Sequence, residues 1–255
     1  MTILDTIVKQ KLAEVAERKT LRPLSALRDL PATPVRDFAA ALARPGLSVI
    51  AEFKRRSPSR GLLASSLDPA LVARAYEAGG AGAMSVLTDR EFFGGSEADL
   101  QAARAAVCLP VIRKDFTIDE YQVHEARAIG ADAVLLIVRI LDDALLRDLL
   151  AAAGAVGLAA LVETHTAEEV DRALAAGARI IGVNSRDLDT FEVRLDAALA
   201  LRPRIGDAIA VAESGIQTAD DARRVRAAGF DAILVGESLV RAGDPQAKIA
   251  ELLGA

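Results

Sequence analysis

The chain has no tryptophan, one cysteine and two histidines, and only 4% of its residues are aromatic. A single cysteine excludes an intrachain disulfide. Cys108 lies in A-A-V-C-L-P, apolar on both sides, and reads as a small core residue rather than a reactive thiol. The histidines form no H-x-H or H-x-x-x-H pair, so no metal site is expected. His124 falls within a predicted helix, and His165, just past a predicted strand, reads as a loop or capping residue. Basic excess is missing too: the net charge of −5 argues against a nucleic-acid partner. An anionic ligand would have to be held by a local site, since the global field repels it. No apolar run approaches the roughly 18 residues of a membrane span, and the first residues do not read as a signal peptide. A soluble cytoplasmic protein with neither membrane nor nucleic-acid partner is expected.

What is present is aliphatic. Hydrophobic residues make up 52% of 255 positions, enough to build one well-buried core from Ala, Leu, Val and Ile. Residues 2–20 read as an amphipathic helix, with Ile3, Ile7, Leu12 and Val15 as apolar positions and Lys9, Lys11 and Glu14 among the polar ones. A short helical piece between Pro23 and Pro31 and another over Asp37–Ala43 follow. Residues 1–46 are thus expected to be a helical extension packed on the main body.

From Leu47 onward apolar runs alternate with Ala-rich helical stretches. The predicted strands are Ser48–Lys54, Gly82–Leu87, Val111–Lys114, Ala133–Val138, Leu158–Glu163, Ile180–Asn184, Ile209–Ser214 and Ala232–Gly236. The predicted helices are Pro69–Ala78, Ser96–Ala106, Ile118–Ile129, Asp142–Ala153, Thr166–Ala175, Leu195–Leu201, Thr218–Ala228 and Pro245–Leu253. A helix end, a glycine and an apolar strand recur in E-A-G-G-A-G-A-M-S-V-L, R-A-I-G-A-D-A-V-L-L-I-V, A-A-G-A-R-I-I-G-V-N and R-A-A-G-F-D-A-I-L-V-G. Eight βα units fit an α/β protein with a (β/α)8 TIM barrel over residues 47–255, one domain with its extension. An open doubly wound sheet is the alternative, but no G-x-G-x-x-G follows the first strand.

The polar residues gather at one end of these strands. In V-I-A-E-F-K, side-chain alternation puts Glu52 and Lys54 on one face with Ile50. Taken alone, this is most simply a salt bridge at a strand end. Strand three, however, ends in Lys114, strand five in Glu163, strand six in Asn184 followed by Arg186, and strand seven in Glu213 and Ser214. In a barrel these ends share one mouth, where such folds keep their active sites. Glycine-bearing turns sit on the same side: Ser57-Pro58-Ser59-Arg60-Gly61, Ser214-Gly215-Ile216 and Val235-Gly236-Glu237-Ser238. The last two follow strands seven and eight, the usual phosphate site of such barrels, so a phosphorylated small molecule is expected. The lysines and acids suit acid–base chemistry, with Schiff-base chemistry at Lys114 also open.

The stretches A-E-F-K-R-R-S-P-S-R-G, D-R-E-F-F-G-G-S, V-I-R-K-D-F-T-I-D-E-Y-Q, A-L-V-E-T-H-T, I-G-V-N-S-R-D-L-D-T-F-E-V, A-E-S-G-I and V-G-E-S-L resemble, in order, those of indole-3-glycerol-phosphate synthases. The resemblance implies ring closure, decarboxylation and dehydration of 1-(2-carboxyphenylamino)-1-deoxyribulose 5-phosphate in tryptophan biosynthesis, with no cofactor; a monomer is expected. It implies Lys114 as general acid at the ribulose carbonyl and Glu163 beside it. Lys54 would anchor the substrate carboxylate or protonate the leaving hydroxyl. Glu52 with Asn184 would position the anilino nitrogen, and Arg186 would organise the carboxylate side. Ser57, Ser214, Gly215, Gly236, Glu237 and Ser238 fall at the phosphate. Phe92, Phe93, Phe116 and Leu188 would wall the aromatic ring. An acid at Glu237 should weaken phosphate binding unless it points away. Rivals are another phosphate-binding barrel, such as a sugar isomerase or a Schiff-base aldolase, and a noncatalytic barrel that senses a phosphorylated metabolite.

Overall fold

The computed structural model describes residues 2–28, 33–57, 61–62, 67–187 and 190–254, with backbone alone at 57 and 62. Eight parallel strands form a closed barrel. They are β1 (Ser48–Phe53), β2 (Ala83–Leu87), β3 (Val111–Lys114), β4 (Ala133–Ile137), β5 (Ala159–Thr164), β6 (Ile180–Asn184), β7 (Ile209–Glu213) and β8 (Ala232–Val235). The barrel closes where β1 pairs with β8, Ser48 opposite Ala232. Each expected strand is present, and its ends differ by no more than a residue. The causes are local. Ser214 adopts a left-handed φ of 65° and leaves the sheet, and Val138 opens a 3-10 turn, Val138–Ile140.

Alternation along each strand sorts the apolar residues into two layers. Ile50, Ala83, Ile112, Leu135, Leu161, Ile180, Val211 and Leu234 fill the barrel interior. Val49, Ala51, Val86, Val134, Val162, Ile181 and Ile233 point outward into the contact with the helices. Glu52, Lys114, Glu163, Asn184 and Glu213 share the parity of the interior set, one layer nearer the mouth. The surrounding helices begin where a short polar side chain can accept from a free N–H: Asp68, Ser96, Asp119, Asp142, Thr166, Thr218 and Asp244 each cap a helix this way. At the four repeated helix ends Gly80, Gly130, Gly177 and Gly229 take φ of 88–92°, which other residues resist.

Some expectations are corrected. The helix expected over Leu195–Leu201 stops at Leu199 and restarts as Arg202–Ile205, with Pro203 in its first turn. An unexpected helix, Glu237–Arg241, starts from Gly236. Cys108 is exposed, because its neighbours Val107 and Leu109 take the buried positions in the turn before β3.

The N-terminal segment forms α1 (Ile3–Leu21), closed at its start by a capping box between Thr2 and Asp5. Its buried face is Leu4, Ile7, Lys11 and Val15, while Leu12, expected to be apolar and inward, is 58% exposed. Lys11 is fully buried because three carboxylates meet it: Asp89 and Glu14 at 2.8 Å and Asp115 at 3.0 Å. Arg18 of the same helix pairs with Glu125 at 2.8 Å. Thus α1 lies across the side of the barrel where β2 and β3 end. No described helix is long and apolar enough to cross a membrane.

Candidate active site

A cavity of about 270 Å³ opens at the C-terminal ends of the strands. Glu52, Lys54, Lys114, Glu163, Asn184, Arg186, Ser214, Gly215, Gly236, Glu237 and Ser238, all expected from sequence, line it together with Phe93 and Phe116. The rings of Phe93 and Phe116 are 6.0 Å apart and tilted at 39°, an apolar wall on the β2–β3 side. Phe92, also expected there, packs with Phe93 against the same apolar cluster but does not line the cavity. Leu188, the side chain of Ser57 and the 58–60 turn lie outside the described residues.

Two lysine–carboxylate groups share the floor. On β1, Lys54 Nζ is 2.6 Å from Glu52 Oε1. Gly236 makes this possible, since a Cβ there would collide with that same oxygen. Across the mouth, Lys114 Nζ lies 3.3 Å from Glu163 Oε2 and 3.8 Å from Glu213 Oε2. Asn184 Nδ2 donates to Glu163 Oε1 at 3.2 Å, and Asn184 Oδ1 accepts from the Arg186 backbone N–H at 3.1 Å.

Glu213 is the functional group the sequence reading left without a role, although it was visible there as a polar strand end. It is buried, and its Oε1 meets no donor among the described residues. Burial and the charge of Glu163 both raise Glu213, and Lys114 only partly offsets them, so its carboxyl is held well above the usual range. A proton on Glu213, directed at Glu163, resolves the unpartnered oxygen. Glu163 goes the other way. Burial alone would raise it, but Lys114, His165 and Asn184 hold it below its ordinary value. Glu52 is likewise depressed, as Lys54 and Lys114 outweigh its burial. Burial opposes charge on Lys114, but Glu163, Glu213 and Glu52 more than compensate and keep it an ammonium. Environment therefore sets the carboxyls of the floor apart, pushing Glu213 up and holding Glu52 and Glu163 down.

The loops after β6, β7 and β8 make the opposite wall. Arg186 and Val193 bridge an antiparallel turn, and Phe191 and Val193 from it face the cavity; sequence had not marked either. Ser214 and Gly215 are consecutive left-handed residues, φ 65° and 78°, fixed by Ser185 Oγ, which donates to the Ser214 carbonyl at 2.9 Å. Glu237 is paired with Arg186 at 3.5 Å and Arg241 at 3.6 Å, so its charge is compensated. Ile3, Leu4 and Ile7 of α1 also line the cavity, which the sequence reading did not anticipate. Their signal was present only as one apolar face of α1.

A family model described as indole-3-glycerol phosphate synthase matches residues 4–252. The chain is 53% identical over 255 residues to indole-3-glycerol phosphate synthase 2 of Streptomyces coelicolor, covering 99% of each. It is 51% identical to the indole-3-glycerol phosphate synthase of Mycobacterium avium, covering all of this chain and 94% of the relative. Among solved structures, a 3-hexulose-6-phosphate synthase superposes with a TM-score of 0.67 at 18% identity, over 82% of this chain and 99% of that one. A mandelate oxidase superposes at 0.60 and 18% identity, over 91% and 81%. These two share the fold.

Proposed function

From the premise that the chain belongs to the indole-3-glycerol phosphate synthase family, we infer how its mouth divides the work of that reaction. The enzyme is a carboxy-lyase: it closes the ring of 1-(2-carboxyphenylamino)-1-deoxyribulose 5-phosphate, releases CO2 and water, and yields indole-3-glycerol phosphate for tryptophan biosynthesis. The observation that carries the assignment is the presence of two separate lysine–carboxylate groups on one floor, Lys114 with Glu163 and Glu213, and Lys54 with Glu52.

Ring closure places negative charge on the ribulose carbonyl oxygen as the ring carbon attacks. Lys114, kept as an ammonium by its carboxylates, supplies a proton and a positive charge there. Glu163 is the charged base that holds the Lys114 ammonium in place, and the protonated Glu213 beside it returns a proton to Lys114 after the transfer. Loss of CO2 then restores aromaticity without an electron sink. The second pair serves dehydration: Lys54 protonates the departing hydroxyl, and Glu52, with Asn184 near the anilino nitrogen, takes the later proton. Phe93 and Phe116 hold the ring, and Arg186 faces its carboxylate. Ser214, Gly215, Gly236 and Ser238 bind phosphate through backbone N–H groups, which the left-handed pair and the start of the Glu237–Arg241 helix support. Residues 1–46 act as an extension on the 47–255 barrel, and a cytoplasmic monomer is the proposed form.

The two groups are separated by following CO2 release and indole fluorescence together; with no tryptophan in the chain, protein background is low. Lys114→Ala should abolish both signals while leaving binding of inorganic phosphate intact. Lys54→Ala should still release CO2 but form little indole. Equal loss of both signals in Lys54→Ala would remove Lys54 from the dehydration step.

A further inference from the structure

His165 follows β5 directly, and its side chain is 8% exposed. Its backbone N–H donates to Glu169 Oε2 at 2.6 Å, which places the ring against the first turn of the helix Ala167–Ala175. The ring lies between two carboxylates, with Nε2 3.7 Å from Glu163 Oε1 and Nδ1 3.4 Å from Glu169 Oε2. Neither contact is aligned as a hydrogen bond, and both nitrogens are buried without a hydrogen-bond partner among the described residues. A neutral imidazole always carries one bare lone pair. Here that lone pair would face a carboxylate whichever tautomer formed. Only the imidazolium presents N–H to both sides.

We propose that His165 is a positioning residue: as an imidazolium between Glu163 and Glu169, it keeps the Glu163 carboxylate charged and oriented toward Lys114 and Asn184. Glu163 Oε1 then faces His165 and Asn184 while Oε2 faces Lys114, so both oxygens are committed. The proton of the Glu163–Glu213 pair stays on Glu213. The charged groups around the ring are Glu163 from β5, Glu169 from the following helix and Arg139 from the Val138–Ile140 turn. Burial and Arg139 disfavour the imidazolium, but the two carboxylates prevail and His165 is raised above its ordinary value. This inference rests on the base role given to Glu163.

Two histidines in the chain make the test direct, since His165→Gln assigns the remaining imidazole NMR signal to His124. In the free protein the His165 titration midpoint should fall by about one unit in Glu163→Gln, and likewise in Glu169→Gln. A midpoint unchanged in both variants overturns the proposal, and it does so whether or not Glu163 proves essential for turnover. In His165→Gln, Glu163 takes up a proton more readily, so the acid limb of kcat/KM should move up by about half to one unit with little change in KM. A uniform drop in rate with the limb unmoved would mean that His165 only supports the fold. If His165→Gln does not fold, the two NMR titrations decide alone. Wild-type turnover in Glu163→Gln with the NMR coupling present would instead sink the role of Glu163.

Discussion

A side chain on Gly182 would collide with Glu213 Oε1. Gly182 lies on β6 opposite Glu163 of β5, and β7 brings Glu213 in from the other side. The missing Cβ is therefore the space in which two buried carboxyl groups meet one lysine. Gly182→Ala should push Glu213 out of reach of Lys114 and lower kcat about 10²-fold, the scale of one acid–base group. Overpacking should cost about 1–3 kcal/mol in urea unfolding. Unchanged kcat in a folded Gly182→Ala enzyme would show that the position of Glu213 does not matter.

Glu213 also makes a prediction about stability. Its folded value is raised, so between the unfolded value near 4.5 and the raised folded value the native state holds a proton that the unfolded state has released. Stability from this group is therefore lost as pH rises through that window. Glu213→Gln mimics the protonated form and has no such loss. Its stability relative to wild type should grow from pH 5 to pH 7.5 in urea titrations, while turnover falls. A difference independent of pH would mean that Glu213 is ionised in the native state.

Lys11 is the buried counterpart on the extension. Removing one partner of a buried ionic group leaves the others uncompensated, at about 3–5 kcal/mol. Lys11→Met should destabilise the protein on that scale at pH 7. Arg113 and Lys11 hold the Asp115 carboxyl below its ordinary range against its burial; without Lys11 it rises, so the deficit should shrink as the pH falls and Asp115 protonates. Asp89 also accepts from the Phe92 and Phe93 N–H groups at 2.8 and 3.2 Å, so KM should rise as the aromatic wall loosens. Stability equal to wild type across pH would refute this account.

Much of the mouth was legible because the barrel imposes a simple rule. Residues of one parity at strand ends meet at the mouth, so Glu52, Lys114, Glu163 and Asn184 could be placed from alternation alone. Element starts were legible for a similar reason: Asp, Ser and Thr before Ala-rich stretches cap helices by bonds spanning two or three residues. Cys108 was misplaced because a local apolar context does not say which of three neighbours turns inward.

The sequence by itself determined the βα alternation, the parity of the strand residues and the glycine-bearing turns, since each depends on interactions within a few positions. The tertiary structure alone decided that Glu213 comes in beside Glu163 over Gly182, that His165 stands between two carboxylates, and that Lys11 is buried. Lys11 and Asp89 are 78 positions apart, and the stability of a buried charge depends on which distant partners the fold brings to it.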